Sequence, residues 1–171
     1  LIRHTSVSTP QGICYGQSNV DVSETFEAEA KSVAEKLDCR SFDAVFCSPL
    51  QRCRKLANYC QYPHATLDDR LMEMNFGDWE MQPWDKINDP HLDHWFQNWI
   101  EERTTHGESF RQMIVRVENF LNELKTQNHN QVAIFTHAGV IRVFGILAGH
   151  FEPQKAFSYK VDYGDVVEFS Y

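Results

Sequence analysis

The chain has 171 residues, a length that suits one domain, and its 42% hydrophobic and 23% charged content argues against a disordered or fibrous class. A net charge of -8 argues against a broad basic face for nucleic acid, and no apolar run reaches the roughly 20 residues of a membrane helix. Cys14, Cys39, Cys47, Cys53 and Cys60 are odd in number and form no Cys-x-x-Cys pair, which disfavours zinc and disulfide frameworks and fits a reducing cytoplasm.

In chain order, Leu1-Ile2 is a short apolar piece that runs into Arg3-His4-Thr5. The chain is already strand-like at Leu1, so this strand is expected to begin upstream, and no signal peptide is expected. Residues 6–20 are rich in Ser, Thr, Gly and Gln and read as a loop. Ser23 is placed to cap a helix with Glu24 in its first turn, and Phe26, Ala30, Val33, Ala34 and Leu37 repeat at helical spacing. Ala44-Val45-Phe46-Cys47 reads as a buried parallel strand. A helix is predicted from Pro49 to Cys60, and Thr66-Leu67 is a further short strand.

Residues 68–107 are irregular and hold Trp79, Trp84, Trp95 and Trp99, with short helices allowed over 91–101. Phe110, Met113, Ile114, Val117, Leu121 and Leu124 predict an amphipathic helix from Glu108. Val132-Ala133-Ile134-Phe135 is a second buried strand, and residues 140–147 a helix. Two late strands are predicted at 157–161 and 165–170. Strands alternating with helices predict one α/β domain over 1–171, a three-layer sandwich around a mostly parallel sheet, with an aromatic-rich lid at 79–106.

Ligands of such sheets bind at the carboxyl ends of strands. Here those ends carry Arg3-His4, Ser48-Pro49-Leu50-Gln51-Arg52 and Thr136-His137. Two imidazoles and two guanidiniums at one edge suit phosphoryl transfer. The transition state spreads negative charge over equatorial oxygens, and arginine forks match that geometry. A neutral imidazole is a competent nucleophile near pH 7. A carboxyl group is then needed to protonate the leaving alkoxide and activate water. The segment 71–80 supplies Glu73, whose apolar neighbours predict partial burial and a raised pKa. Asp78 and Glu80 compete, and spacing does not separate them.

These motifs resemble the histidine phosphatase, or phosphoglycerate mutase-like, superfamily. Leu1-Ile2-Arg3-His4-Thr5 resembles its Arg-His signature, and Ser48 to Arg52 its phosphate-binding arginine motif. Leu71-x-Glu73-x-x-Phe76-Gly77-x-Trp79-Glu80 is similar to its acid-donor motif, and Thr136 to Arg142 to its second-histidine motif. The four fall in family order and span nearly the whole chain. The resemblance implies His4 as nucleophile, Arg3, Arg52, His137 and Ala138 around phosphate, and Glu73 as proton donor. Thr5 departs from the glycine of many members and points to a subgroup. His4-Thr5-Ser6-Val7 and Gly12 to Gln17 resemble α-ribazole phosphatases of cobalamin assembly, which implies Tyr15 and Gln17 as substrate contacts. The tryptophans read as core by default, but their crowding into 79–99, where the family's insertion covers the active site, offers Trp84 as an aromatic wall for a flat base.

Plainer readings stand beside these. Arg52 taken alone is a solvated helix residue, and Glu73 a surface carboxylate. His91 and His94, with Asp89 and Asp93 nearby, have ligand spacing but read as a polar helix. His150 beside Gly149 reads as a helix end. Glu108 is explained as an acid favoured near a helix start. Neither metal nor cofactor is implied. The expected partner is a small phosphorylated metabolite, without nucleic acid or membrane, for a monomer or homodimer. The alternatives are a phosphoglycerate mutase, a broad sugar-phosphate phosphatase and a non-catalytic phosphate-binding module.

Overall fold

The computed structural model describes residues 1–170. Its centre is a parallel sheet of four strands, β1 (Ile2–Arg3), β2 (Ala44–Cys47), β3 (Thr66–Leu67) and β4 (Val132–Thr136), in the order β1-β4-β2-β3. Side chains alternate across a strand. Ile2, Val45, Cys47, Ala133 and Phe135 therefore face one apolar layer, and Phe46, Val132 and Ile134 face the other.

The first layer is made by α1 (Phe26–Leu37) and α2 (Gln51–Tyr59), which bury Ala30, Val33, Leu37, Cys53, Leu56 and Ala57. The second is made by α4 (Phe110–Lys125) and α5 (Ala138–Leu147), with the short α3 (Leu92–Asn98) further out in the 79–106 segment. This is the expected three-layer arrangement. Phe110, Met113, Ile114, Val117, Phe120, Leu121 and Leu124 line one stripe of α4, as the 3.6-residue period requires.

Helix ends differ from expectation in detail. The N-cap of α1 is Thr25, not Ser23, and α4 starts after Ser109, whose hydroxyl accepts from Gln112 N in a capping box. Helix α5 ends on Gly149 at φ 75, with Gly149 N bonded to Ile146 O and His150 N to Gly145 O.

The two late strands are corrected. Residues 153–158 form a 3₁₀ helix, because Pro153 fixes a helical φ at its start and Ala156 packs inward on the core. Residues 165–170 make an isolated antiparallel bridge, Val166 to Ile2. Beside it, Arg3 N donates to Asp165 O and Val167 N to Leu1 O.

Candidate active site

Parallel register sets the site. Arg3 lies beside Thr136, and Cys47 beside Phe135, so His4, Ser48 and His137 leave the sheet at one edge. His4 and His137 are both buried, with ring centroids 5.1 Å apart.

The His4 Nδ1–H donates to Thr5 O at 2.7 Å, since a carbonyl only accepts. Nε2 is thereby left unprotonated. Burial, followed by the charges of Arg52 and Arg3, pushes the His4 pKa well below 6.5. Burial and Arg52 do the same for His137, whose Nε2 meets Ser48 Oγ at 2.8 Å. Both imidazoles are neutral near pH 7.

Arg52 is completely buried on the first turn of α2. Its Nη2 donates to Gly16 O at 2.6 Å and its Nη1 to Ser18 O at 2.9 Å, while Nε has no partner. Arg3 repeats the pattern. Its Nη1 donates to Val161 O at 2.6 Å, its buried Nε is unpartnered, and its guanidinium lies 3.9 Å over the Tyr163 ring. Among the described residues neither arginine forms a salt bridge. Desolvating an unpaired cation costs several kcal/mol. Two such cations with spare N–H groups beside a free imidazole nitrogen fit an anion.

Glu73 lines the same cavity as His4 and Arg3. Its carboxylate accepts Met74 N at 3.0 Å and Gly139 N at 3.1 Å, the latter from the first turn of α5. Gly139 makes this possible, since a Cβ there would lie 2.1 Å from Glu73 Oε1. A cavity of about 230 Å³ has Arg3, His4, Tyr15, Glu73 and Arg142 as its polar lining, with Ala138 beside them. Its apolar side is Ile13, Phe76, Trp84, Phe110 and Phe157. Arg52 and His137 do not line this cavity; they are buried around His4. A cavity of about 300 Å³ at the amino ends of β1 and β4 is lined by Leu1, Phe42, Leu124, Val132 and Phe144, without histidine.

The other candidates separate by position. Tyr15 lines the cavity, bonds Tyr163 hydroxyl to hydroxyl at 2.7 Å and has Arg52 over its ring. Trp84 also lines it, while Trp95, stacked against Trp84, is buried behind. The Gln17 side chain instead supports the acid segment from behind, donating to Glu73 O at 3.1 Å. Asp78 is exposed and pairs with His106. Glu80 accepts backbone N–H groups of Gln17, Ser18 and Phe76, and so ties down the loop whose carbonyls hold Arg52. His91 and His94 both pair with Glu102, and Asp89 accepts from Trp79 Nε1, Thr105 Oγ1 and His91 N. Ser48, Gly139, Arg142 and Tyr163 lay outside the candidates. The first three sit in recognised motifs, but Tyr163, in a turn 148 residues from Tyr15, left no signal.

A lone-pair-bearing imidazole with carbonyl-held guanidiniums, and with a carboxylate lining the same cavity, is a set suited to splitting phosphate esters. The sequence pattern of the histidine phosphatase superfamily (branch 1) matches residues 1–171, and the chain belongs to that family. It is a phosphatase with a phosphoglycerate mutase-like fold. The adenosylcobalamin/alpha-ribazole phosphatase of Salmonella typhimurium is 30% identical over 150 residues, covering 82% of this chain and 74% of that protein. Phosphoserine phosphatase 1 of Hydrogenobacter thermophilus is 28% identical over 151 residues, covering 83% and 71%. The solved alpha-ribazole phosphatase of Shigella flexneri superposes with a TM-score of 0.85 at 27% identity, over 95% of this chain and 85% of that one.

Proposed function

We propose that this phosphatase hydrolyses α-ribazole 5′-phosphate through a phosphohistidine on His4. His4 Nε2 attacks phosphorus and forms the N–P bond as the P–O5′ bond breaks, and Glu73 gives the leaving oxygen its proton. Glu73 then takes a proton from water, whose oxygen bonds to phosphorus as the N–P bond breaks. Inorganic phosphate and α-ribazole leave, with His4 neutral again. Arg3, Arg52 and His137 stabilise the equatorial oxygens throughout, and Ala138 borders them at the start of α5. The arginines supply the charge a metal ion supplies in other phosphatases, so the reading needs no cofactor.

One observation carries the chemistry. Arg52 is buried with no counter-charge among the described residues, next to a histidine whose other nitrogen is tethered. The substrate reading rests on the aromatic side chains of Trp84, Phe76 and Phe110 in the cavity lining, with the Trp84 indole, which Phe76 meets edge to face, as the ring on which a benzimidazole would stack. The names of the Salmonella and Shigella relatives support it. The reading places the enzyme in the cytoplasm, as a monomer or homodimer acting on a small metabolite; no described helix is long and apolar enough to cross a membrane.

The test is a panel of α-ribazole 5′-phosphate, O-phosphoserine, 3-phosphoglycerate and glycerol phosphate, with phosphate release and isomer formation followed together. The expected result is phosphate release with highest kcat/KM on α-ribazole phosphate. Trp84→Ala should cut that value about tenfold, the worth of a stacking contact of ~1.4 kcal/mol, and leave glycerol phosphate within about threefold. Isomer without phosphate marks a mutase. Equal loss on both esters in Trp84→Ala removes the stacking reading. Failure to trap labelled phosphohistidine, with no turnover of any ester, leaves a phosphate-binding module.

A further inference from the structure

Glu73 lies in an irregular stretch between a 3₁₀ turn ending at Leu71 and another starting at Gly77. No helix or strand ladder fixes its backbone. The Gln17 amide holds Glu73 O from one side, and the rest of that work falls to Arg116, in the middle of α4. Arg116 Nη1 donates to Arg70 O at 2.6 Å, and Nη2 donates to Glu73 O at 3.0 Å. The same guanidinium forks onto Glu108, with Nε at 3.0 Å from Oε2 and Nη2 at 2.7 Å from Oε1. Glu108 in turn accepts Asn75 N at 2.9 Å and donates its own N–H to Asn75 O at 2.9 Å. The pair is mostly buried, with side-chain exposures of 19% and 15%. One planar fork thus grips the carbonyls at both ends of 70–73, and its partner grips residue 75.

We propose that Arg116, locked by Glu108, is a positioning residue that sets where the Glu73 carboxylate stands. The inference rests on the reading of Glu73 as proton donor. Lysine replaces the fork only in part, because one ammonium on a flexible stem can keep the Glu108 pair but cannot also hold two carbonyls in a plane. The rival is a staple between α4 and the 70–75 segment that affects stability alone.

Leaving-group chemistry separates the two. An alkoxide needs a proton as it departs, whereas p-nitrophenolate leaves as a stable anion. kcat/KM reports only the steps up to departure of that group, so the ratio of kcat/KM for p-nitrophenyl phosphate to that for glycerol phosphate reads proton donation. The ratio is taken within one preparation, so partly unfolded protein cancels. Glu73→Gln sets the scale, with a loss of about 10²- to 10⁴-fold on glycerol phosphate and a much smaller one on the aryl ester. Arg116→Gln should lose about 10- to 100-fold on glycerol phosphate and less than about threefold on the aryl ester, the size of a carboxylate displaced by about 1 Å. Glu108→Gln should move the ratio in the same direction, Arg116→Lys should recover part of it, and Arg116→Gln added to Glu73→Gln should cost nothing further on glycerol phosphate. If Glu73→Gln shifts the ratio while Arg116→Gln, Arg116→Lys and Glu108→Gln all leave it at the wild-type value, the positioning role is overturned. If Glu73→Gln itself leaves the ratio unchanged, the proton-donor reading falls and the positioning role falls with it.

Discussion

Gly139→Ala isolates the placement of Glu73, the proposed proton donor, from the stability of the fold. The added Cβ would sit 2.1 Å from Glu73 Oε1, more than 1 Å inside ordinary contact, and 3.0 Å from Met113 Cε. The backbone of α5 is fixed by its own hydrogen bonds and by burial of Val140, Ile141, Val143 and Phe144, so the Glu73 carboxylate is the part that moves. It also loses its bond from Gly139 N. A displacement of about 1 Å at a reacting group costs on the order of 10²-fold, or about 2.7 kcal/mol. Stability should move the other way or not at all, because alanine in a helix is favoured over glycine by up to ~1 kcal/mol. The assay is phosphate release from glycerol phosphate beside a thermal melt. The expected result is kcat lower by about 100-fold with Tm unchanged or slightly higher. A variant with near-wild-type kcat would refute the argument, since it would show that the carboxylate position in the free enzyme does not matter to the reaction.

Arg52→Met should lower kcat/KM by at least about 10²-fold, the usual loss for one donor to a transferring group. Inorganic phosphate should raise the Tm of the wild type by mass action and not that of this variant, and equal shifts in both would show that Arg52 is not a phosphate ligand. The neutral histidines make stability depend on pH. His4 and His137 have pKa values below 6.5 when folded and return to about 6.5 when unfolded, so the unfolded chain binds more protons in the interval between. Their contribution is intact above pH 6.5 and is lost as pH falls below it, at up to about 1.4 kcal/mol per pH unit for each histidine. Denaturant titrations at pH 7 and 5.5 should show the fall, and His137→Asn should reduce its slope; an unchanged slope would mean His137 is not held neutral.

The elements legible in the sequence are those whose environment is uniform along the chain. Runs 44–47 and 132–135 are apolar because both faces of a parallel strand are covered, and the α4 stripe repeats because one layer lies on one side. Since the strands were legible, so was the edge where His4, Arg52 and His137 meet. The choice among Glu73, Asp78 and Glu80 was not, because no period governs 72–80. What separates them is contact across the chain: Gly139 for Glu73, His106 for Asp78, and the N–H groups of the 16–18 loop for Glu80. Tyr163 over Arg3 and Arg116 under Glu73 were invisible for the same reason. The strand expected at 157–161 fails because the 3₁₀ helix begun at Pro153 runs on to Ser158, burying Ala156 and turning Phe157 outward, a choice set by tertiary packing.

The way the two arginines are held explains how an acidic protein keeps a site for a dianion. A carboxylate partner would fix each guanidinium but cancel its charge at the point of use. Carbonyl oxygens of Gly16, Ser18 and Val161 fix the same forks through dipoles and leave the net charge in place. The charge of -8 lies mostly on the exposed surface, where solvent and salt screen it, while Arg52 sits fully buried where screening is weak. Burial first, and these two cations after it, lower the pKa of His4, so in the proposed mechanism the cations that hold phosphate also help keep the attacking nitrogen free of its proton. Positive charge left unpaired in the free protein is a destabilising feature of the fold, and the incoming phosphate is the group that removes it. In the proposed mechanism binding, nucleophile activation and the stability of the resting protein therefore all depend on Arg3 and Arg52 having no counter-charge among the described residues.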